Sequence, residues 1–210
     1  DIDAIAVAAG ISALDLSGKL GQTPIRIASG PIGFAWPGAL SARALDITLG
    51  PLPTASHFRV SHLDARIGKD IAGTFGGSDI LLAAVPLDLR DTQGTWRYAN
   101  GVLTLGGAAF RLEDREEVDR FAPLVTRDAT LTLRNNVIDA QAMLREPTSD
   151  REVVLATIRH DLGTGRGHSD LDIPGIRFDK TLQPDTLTPL ALGVIANADG
   201  SVRGRGRIDW

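Results

Sequence analysis

Serine, histidine and aspartate, the residue types of a hydrolytic triad, occur close together as Ser61, His62 and Asp64. In a triad the hydroxyl attacks a carbonyl group, the imidazole takes the hydroxyl proton, and the carboxylate orients the imidazole. The three groups must meet in space, whereas neighbours on one β-strand point to alternate faces. We therefore interpret this segment as surface residues of a strand beside a β-bulge.

A metal site is conceivable at His168, Asp170 and Asp172, which share one face of a strand by their period of two. A closed metal site normally has four ligands, and the remaining histidines are scattered along the chain. The wet face of a strand explains the same alternation equally well. The absence of cysteine excludes a thiolate site. We therefore expect no metal and no other cofactor.

Two segments could bind anions. The glycine-rich stretch 163–167 has the composition of a phosphate-binding loop, but it lacks the Lys-Ser/Thr pair and no helix pattern follows it. Arg203, Arg205 and Arg207 share a strand face and could contact RNA or acidic lipid, although polar-out alternation is the common case in antiparallel sheets. With a net charge of −4 and no concentrated basic surface, we expect no nucleic-acid partner.

Carboxylates are plentiful, but no pair of them lies in an apolar setting that would raise a pKa. No candidate for a catalytic residue remains, so the sequence predicts a protein that is not an enzyme. Its composition, 43% hydrophobic and 23% charged, is that of a globular protein rather than a disordered one. Function must then come from a surface rather than from a reactive centre.

The elements that would form such a surface are strands. Apolar and polar residues alternate with period two in many segments, which is typical of strands with one buried and one wet face. The clearest examples are Leu14–Leu16, Ile25–Ile27, Leu45–Leu49, Leu131–Leu133 and Ile138–Leu144. Asn100-Gly101 and Asp199-Gly200 are typical of tight hairpin turns. The sequence predicts an all-β, mainly antiparallel fold.

Two predicted strands change phase along their length. Phe58 and Val60 have one parity while Leu63 has the other, and the same change occurs across Gly106-Gly107. A β-bulge restores the facing of the side chains and bends the strand, so we expect a curved, bulged sheet. It would form an open groove or a half-open sandwich, with one or two short helices. The best helix candidate is Asp185–Ala196.

The domain prediction is a single β-rich segment over residues 1–210, with a soft boundary near 75–80. No apolar run approaches the roughly 18 residues that a membrane helix needs. The chain begins in an apolar stretch and stops while strand character continues. We therefore expect both ends to be truncated, and an anchor or signal to lie outside this segment.

Several stretches of the C-terminal half resemble YdbH-type members of the AsmA-like family. The resemblance is best over 120–210, weaker over 75–119 and slight before that. The stretches that carry it are Arg120–Leu124, Asp128–Leu133, Ile158–Leu162, Leu182–Pro184, Leu187–Leu190, Gly193–Ile195 and Gly204–Trp210. These are structural motifs without catalytic meaning.

The resemblance implies a repeating β-groove, built as a long bent sheet with an apolar trough. It implies phospholipid transport between the inner and outer membranes of Gram-negative bacteria, in the periplasmic part of a protein anchored in the inner membrane. The implied partners are phospholipid acyl chains and a small outer-membrane lipoprotein, which would bind by strand addition. No cofactor or catalytic residue carries over, and proteins of this type are several times longer than this chain.

Alternation alone does not distinguish an open trough from a closed sandwich, because both cover an apolar face. Our candidates for the lipid groove are the apolar positions of two strands: Ile138, Ala140, Ala142, Leu144, Val154, Ala156 and Ile158. Ordinary core packing is the alternative role for each of them. A second hypothesis for the whole chain is a structural scaffold or assembly factor for outer-membrane proteins that acts by strand pairing.

Overall fold

The computed structural model describes residues 8–83, 85–195 and 197–210, and most of them belong to one antiparallel β-sheet. The first seven strands are β1 (Ala8–Ile11), β2 (Leu14–Leu20), β3 (Thr23–Ser29), β4 (Ile32–Ala35), β5 (Ala39–Leu49), β6 (Ser56–Ile67) and β7 (Ile71–Leu82). The others are β8 (Leu87–Ala99), β9 (Val102–Asp114), β10 (Leu124–Arg134), β11 (Val137–Arg145), β12 (Glu152–Asp161), β13 (Arg166–Phe178) and β14 (Gly200–Asp209). The predicted all-β class is confirmed.

The 14-stranded sheet is open and follows the order of the chain over most of its width. From β5 to β14 each strand pairs antiparallel with the next one. On its other side β5 has two partners, β3 along its second half and β4 along its first half. β2 then pairs with β3, and β1 with β4. The predicted, mainly antiparallel arrangement is thus confirmed, and from β5 onward it is a meander.

The two faces of the sheet differ in chemistry. One row of opposed positions across β10–β12 contains only aliphatic residues: Leu131, Ala140 and Ile158. The next row contains only polar residues: Thr132, Asp139 and Arg159. We call these the apolar face and the polar face. Since opposed residues share a face, the alternation in each strand adds up to a continuous surface.

The sheet is concave on its apolar face, as two glycines of that face show. A Cβ added to Gly73 would lie 2.7 Å from Cα of Ala65 and would also meet the Asp64 carbonyl. A Cβ on Gly94 would lie 3.1 Å from Cα of Ala108. In both places the backbone of the neighbouring strand leans over the apolar face, so only glycine fits. The sheet curls towards its apolar side.

The predicted phase changes occur together, in a row that crosses several strands. In β9 the change lies at Gly107, which has φ +55°, and the register with β8 and with β10 shifts beside it. In β6 the pairing is interrupted at Ser61, opposite Ala44 (φ +52°) and Gly77 (φ +57°). In neighbouring strands the alternation of side chains changes phase in the same row. The apolar residues therefore stay on one face on both sides of that row.

The two ends of the strands carry different connections. At one end the connections are short, such as 68–70, 100–101, 135–136 and 162–165, and we call this the short-turn rim. At the other end they include 50–55, 115–123, 146–151 and the long segment 179–199, and we call this the long-loop rim. Only the long-loop rim has enough chain to fold back over the apolar face.

The segment 179–195, which we call the cap, covers the apolar face next to the long-loop rim. Its Leu182 is 1% exposed and its Leu187 is 9% exposed. They form the main core cluster with residues of four strands: Leu124, Leu144, Val153, Ile176 and Phe178. The amide of Ala122 donates to the Leu187 carbonyl (2.8 Å), which ties the cap to the loop before β10.

The helix predicted over Asp185–Ala196 is wrong in extent. Within the described residues the cap has one helical turn, α1 (Pro184–Leu187), and a 3₁₀ helix, Pro189–Ala191. Thr188 between them is extended (φ −150°, ψ 124°), because a residue that precedes proline avoids the α conformation. Its hydroxyl accepts a hydrogen bond from the Leu190 amide (3.2 Å), so Thr188 is the N-cap of the three-residue 3₁₀ helix.

The curl brings the β2–β3 hairpin back to the far part of the sheet. The hydroxyl of Thr23 donates to the Leu162 carbonyl, 139 positions away in the sequence. A Cβ added to Gly21 would lie 3.0 Å from Nδ2 of Asn136. The tip of this hairpin therefore lies against the short-turn rim of β11 and β12, and we call this contact the seam.

Candidate functional site

The predicted groove residues lie on one face of two paired strands. The register of β11 and β12 opposes Ala140 to Ile158, Ala142 to Ala156, and Leu144 to Val154. Ile138 lies on the same face, opposite His160. The period of two therefore predicted correctly which residues share a face, and the structure shows that this face is the apolar one.

The predicted groove residues differ in what covers them. Leu144 is 6% exposed and belongs to the core cluster beneath the cap, and Ala142 and Val154 pack against that cluster. Ordinary core packing describes these three residues. Ile138, Ala140 and Ile158 lie nearer the short-turn rim and are outside the cluster. Ala156 is 8% exposed, although it is also outside the cluster. The groove role of all these residues stays a prediction.

The apolar face continues far beyond the two predicted strands. Registers with successive neighbours place further large apolar residues on it: Leu45, Ile47, Phe58, Val60, Leu63, Phe75, Ile80, Leu89, Phe110 and Leu112. Towards the seam, Ile25 and Ile27 of β3 oppose Leu49 and Ile47. The candidate site is therefore a trough that runs across the strands, wider than the sequence prediction.

A belt of hydroxyl groups interrupts the apolar face at the row of phase changes. Ser78 and Thr92 occupy opposed positions and are 1% and 3% exposed. Neither hydroxyl oxygen has a hydrogen-bond partner among the described residues. Thr126, 2% exposed, lies farther along the same row on β10. Sequence reasoning missed this belt; the glycine pairs that mark the phase changes were the available signal.

Ion pairs between neighbouring strands cover the polar face. Arg90 is the best connected, with contacts to Asp79 (3.5 Å), Asp88 (2.6 Å) and Glu113 (3.6 Å) across β7, β8 and β9. Others join Arg26 to Asp15, Arg43 to Asp64, and Arg159 to Asp139. Charged pairs between neighbouring strands stabilise the sheet, and they distinguish the polar face from the apolar one.

One carboxylate is fully enclosed at the long-loop rim. The side chain of Asp114 is 0% exposed and accepts hydrogen bonds from Nε (2.8 Å), Nη2 (2.7 Å) and the amide (2.7 Å) of Arg120. These bonds hold the pKa of Asp114 well below its usual range, with the guanidinium as the main cause. They pin the loop 115–123 that supports the cap.

The residues that could have done chemistry are engaged elsewhere. Ser61 donates to the Gly77 carbonyl (2.7 Å), and Asp64 pairs with Arg43 (3.0 Å). On the polar face, Asp170 pairs with Arg207 (3.3 Å) and Asp172 with Arg205 (3.4 Å). Within the described part of the chain no group of three or more His, Cys, Asp or Glu side chains is arranged to hold a metal ion.

His160 lies on the apolar face at the short-turn rim. Its Nδ1 accepts a hydrogen bond from the indole Nε1 of Trp210 (3.1 Å), and the two ring centroids are 6.0 Å apart. Burial is the main cause that lowers the pKa of His160, because it disfavours the charged imidazolium. Asp161 acts in the opposite direction. The neutral imidazole is therefore the form that this site favours.

None of the helices within 8–83, 85–195 and 197–210 has the length and apolar character needed to cross a membrane. A family model described as "YdbH-like: Intermembrane phospholipid transport protein YdbH" matches residues 3–210. The chain belongs to the YdbH-like family. Neither the comparison with curated proteins nor the comparison with solved structures found a match. The match confirms the resemblance carried by the C-terminal half and extends it over almost all of the sequence.

Proposed function

We propose that this YdbH-like chain conducts phospholipid along its concave apolar face without any covalent step. The observation that supports this is the open trough of aliphatic side chains, which the cap covers only beside the long-loop rim. The family name, with its reference to intermembrane phospholipid transport, supplies the substrate class. Acyl chains would slide over the apolar face while the head groups stay wet.

The energetics of such a path favour sliding over tight binding. Acyl chains gain about 25 cal/mol for each Å² of apolar surface that they and the trough remove from water. Most groups on the face are methyl and methylene groups, so this gain changes little from one strand to the next. The hydroxyl belt of Ser78, Thr92 and Thr126 differs from its surroundings, as do Ser169 and His160 nearer the short-turn rim. A smooth profile of this kind lets lipid move without a deep trap.

We place this activity in the periplasm of a Gram-negative envelope, as part of a protein anchored in the inner membrane. The YdbH-like assignment supports this placement, because phospholipid that moves between membranes must cross the space between them. The acyl chains are then the ligand that shields the trough from water. An outer-membrane lipoprotein is the protein partner that we propose for the exposed sheet edge.

Ala140→Asp tests the proposed path. Ala140 lies in the trough, outside the core cluster and opposite Ile158. A carboxylate there would meet passing acyl chains, and its desolvation costs several kcal/mol unless it is neutralised. We expect less co-purified phospholipid, measured by lipid extraction and mass spectrometry, and weaker complementation in a transport assay. The melting temperature should change little, because the open trough lets water reach the new charge.

Gln141→Asp is the matched control, since Gln141 is the next residue of β11 and lies on the polar face opposite Thr157. It should leave lipid content and transport unchanged. Equal lipid content in both variants and in the wild type would contradict a path over Ala140. Wild-type protein that is monodisperse and free of lipid would contradict the trough as a whole.

A second candidate function is strand pairing with another protein. Among the described strands, β14 pairs with β13 alone, so its outer edge offers free backbone N–H and C=O groups. An exposed edge can receive an added strand, either from a lipoprotein or from an outer-membrane protein under assembly. Arg203→Pro removes a backbone N–H that points away from β13, so it should abolish such pairing and leave co-purified lipid unchanged.

A further inference from the structure

The short-turn rim contains a notch of about 420 Å³ between two neighbouring hairpin turns. Asn100 and Gly101 form the turn between β8 and β9, and Asn135 begins the turn between β10 and β11. We propose that this notch binds the phosphodiester group of a phospholipid whose acyl chains lie in the trough. This inference rests on the proposed function and adds a head-group binding site to it.

The topology explains why the two turns are neighbours. β9 pairs with β10, and Leu103 lies opposite Leu133 just below the rim. Arg97 on β8 and Arg134 on β10 therefore flank the notch from the two sides, both on the polar face. The hairpins that bear them have tight turns with positive φ at Asn100 (+50°) and Asn135 (+50°). Such turns present a defined backbone rather than a mobile loop.

The charge of the notch suits an anion. Its lining residues include two arginines and two asparagines but no carboxylate. Arg97 is ion-paired with Asp70, and Arg134 forms no ion pair with any described residue. A guanidinium offers a planar fork of N–H donors that matches two oxygens of a phosphodiester. The carboxamides of Asn100 and Asn135 add further donors.

The position of the notch suits an amphipathic anion rather than a free one. Tyr98, the neighbour of Arg97 in the chain, lies on the apolar face opposite Leu103 and is 47% exposed. One residue therefore separates the arginines from the hydrocarbon surface. The opposite rim cannot serve in the same way along β9–β13, because the cap covers the apolar face there. A lipid in this part of the trough would place its head group at the short-turn rim.

Three probes with the purified chain test the proposal: dihexanoyl phosphatidylglycerol, dihexanoylglycerol and inorganic phosphate. Binding is followed by the amide NMR shifts of Gly101 and Asn135 and by calorimetry. We expect Arg134→Gln to weaken phosphatidylglycerol binding about tenfold, as the loss of a charge-assisted hydrogen bond implies. Dihexanoylglycerol has the same chains without the phosphodiester, so its affinity should not change. Inorganic phosphate should bind far more weakly than phosphatidylglycerol.

Arg205→Gln is the matched control, because Arg205 is 87% exposed on β14 and does not line the notch. It should leave all three affinities unchanged, and circular dichroism should show the same fold in every variant. Equal phosphatidylglycerol affinity for Arg134→Gln and wild type would overturn the head-group site while leaving the trough intact. If inorganic phosphate binds as tightly as phosphatidylglycerol, the notch is a site for free phosphate and not for a lipid head group. Failure of both lipids to bind wild-type protein would overturn the proposed function as well.

Discussion

The carboxylate of Asp114 is covered by its partner Arg120, so this pairing determines its effect on stability. We expect Asp114→Asn to lower the free energy of unfolding by about 1.5–3 kcal/mol, the range for hydrogen bonds to charged groups. Chemical denaturation at pH 7 measures this change. Asp209→Asn removes a carboxylate that is 66% exposed beside Arg207 and should have a much smaller effect. Equal effects of the two substitutions would contradict the view that the Asp114–Arg120 pair stabilises the fold more than an exposed ion pair does.

Acid should act on the same pair. The pKa of Asp114 is lower in the folded protein than in the unfolded chain, so the unfolded chain binds the proton more readily. The stability that the pair contributes is therefore present above the ordinary aspartate pKa and is lost as the pH falls towards the folded value. The difference in stability between wild type and Asp114→Asn should shrink as the pH falls from 6 to 3.

His160 should make stability depend on pH in a higher range. Burial lowers its folded pKa below the ordinary value of about 6.5, so the unfolded chain binds more protons in this range. Stability should be full above the ordinary value and should fall as the pH decreases through the folded pKa. Protonation at Nδ1 also removes the acceptor for the Trp210 indole.

The measurement compares urea denaturation of wild type and His160→Gln at pH 7.5 and pH 5.5. Wild type should lose more stability than the variant between the two values, because glutamine does not titrate. We also expect His160→Ala and His168→Ala to retain envelope function in cells, since neither histidine belongs to a metal or catalytic cluster. A complete loss of function with an intact fold would reveal a role beyond packing.

At the scale of elements, the cap is the part of the chain that behaves like an ordinary core. Leu182→Ala should destabilise the protein by about 2–5 kcal/mol, the usual cost of truncating a buried leucine. Leu192→Ala, in the same segment but 64% exposed, should change stability far less. Thermal unfolding of the two variants gives the comparison. A small effect of Leu182→Ala would mean that the cap is not firmly packed against the apolar face.

The strands were predictable from the sequence because their pattern is local. The cap was not predictable, because it depends on contacts between distant segments. Alternation from Ile138 to Leu144 needs only the geometry of a single strand, so it predicted both the element and the shared face. The prediction of a helix over Asp185–Ala196 was wrong because Pro189 keeps Thr188 out of the helical conformation. The burial of Leu144 under Leu182 depends on a contact between distant segments, which alternation cannot show.

At the scale of the whole molecule, the seam tests the curl of the sheet. The natural chain has no cysteine, so an introduced pair can react only with itself. We expect Gly21→Cys combined with Asn136→Cys to form a disulfide under mild oxidation, because the two positions are in contact across the seam. Mass spectrometry of peptides detects the bond. Gly21→Cys with Asn100→Cys, at another turn of the short-turn rim, should remain reduced.

No sequence pattern indicates the seam, because it results from twist and bending summed over every strand from β3 to β11. Each strand pair contributes a small rotation, and the bulges near Ser61 and Gly107 add to it. The contact between Thr23 and Leu162 is the sum of these rotations rather than a preference of either residue. The apolar face was therefore predictable from the sequence, whereas the shape of the trough was not.

The shared row of phase changes has a consequence for how such a chain can change during evolution. Loss of one residue between Phe58 and Ser61 would move the side chains in one half of β6 to the opposite face of the sheet. The side chains of β5 and β7 would stay on their present faces. Apolar side chains would then point to water, and charged ones into the trough. Gain or loss of a complete hairpin avoids this conflict. Each new strand can have its own phase change in the same row as its neighbours. Lineages should therefore vary in the number of hairpins, and rarely in strand length.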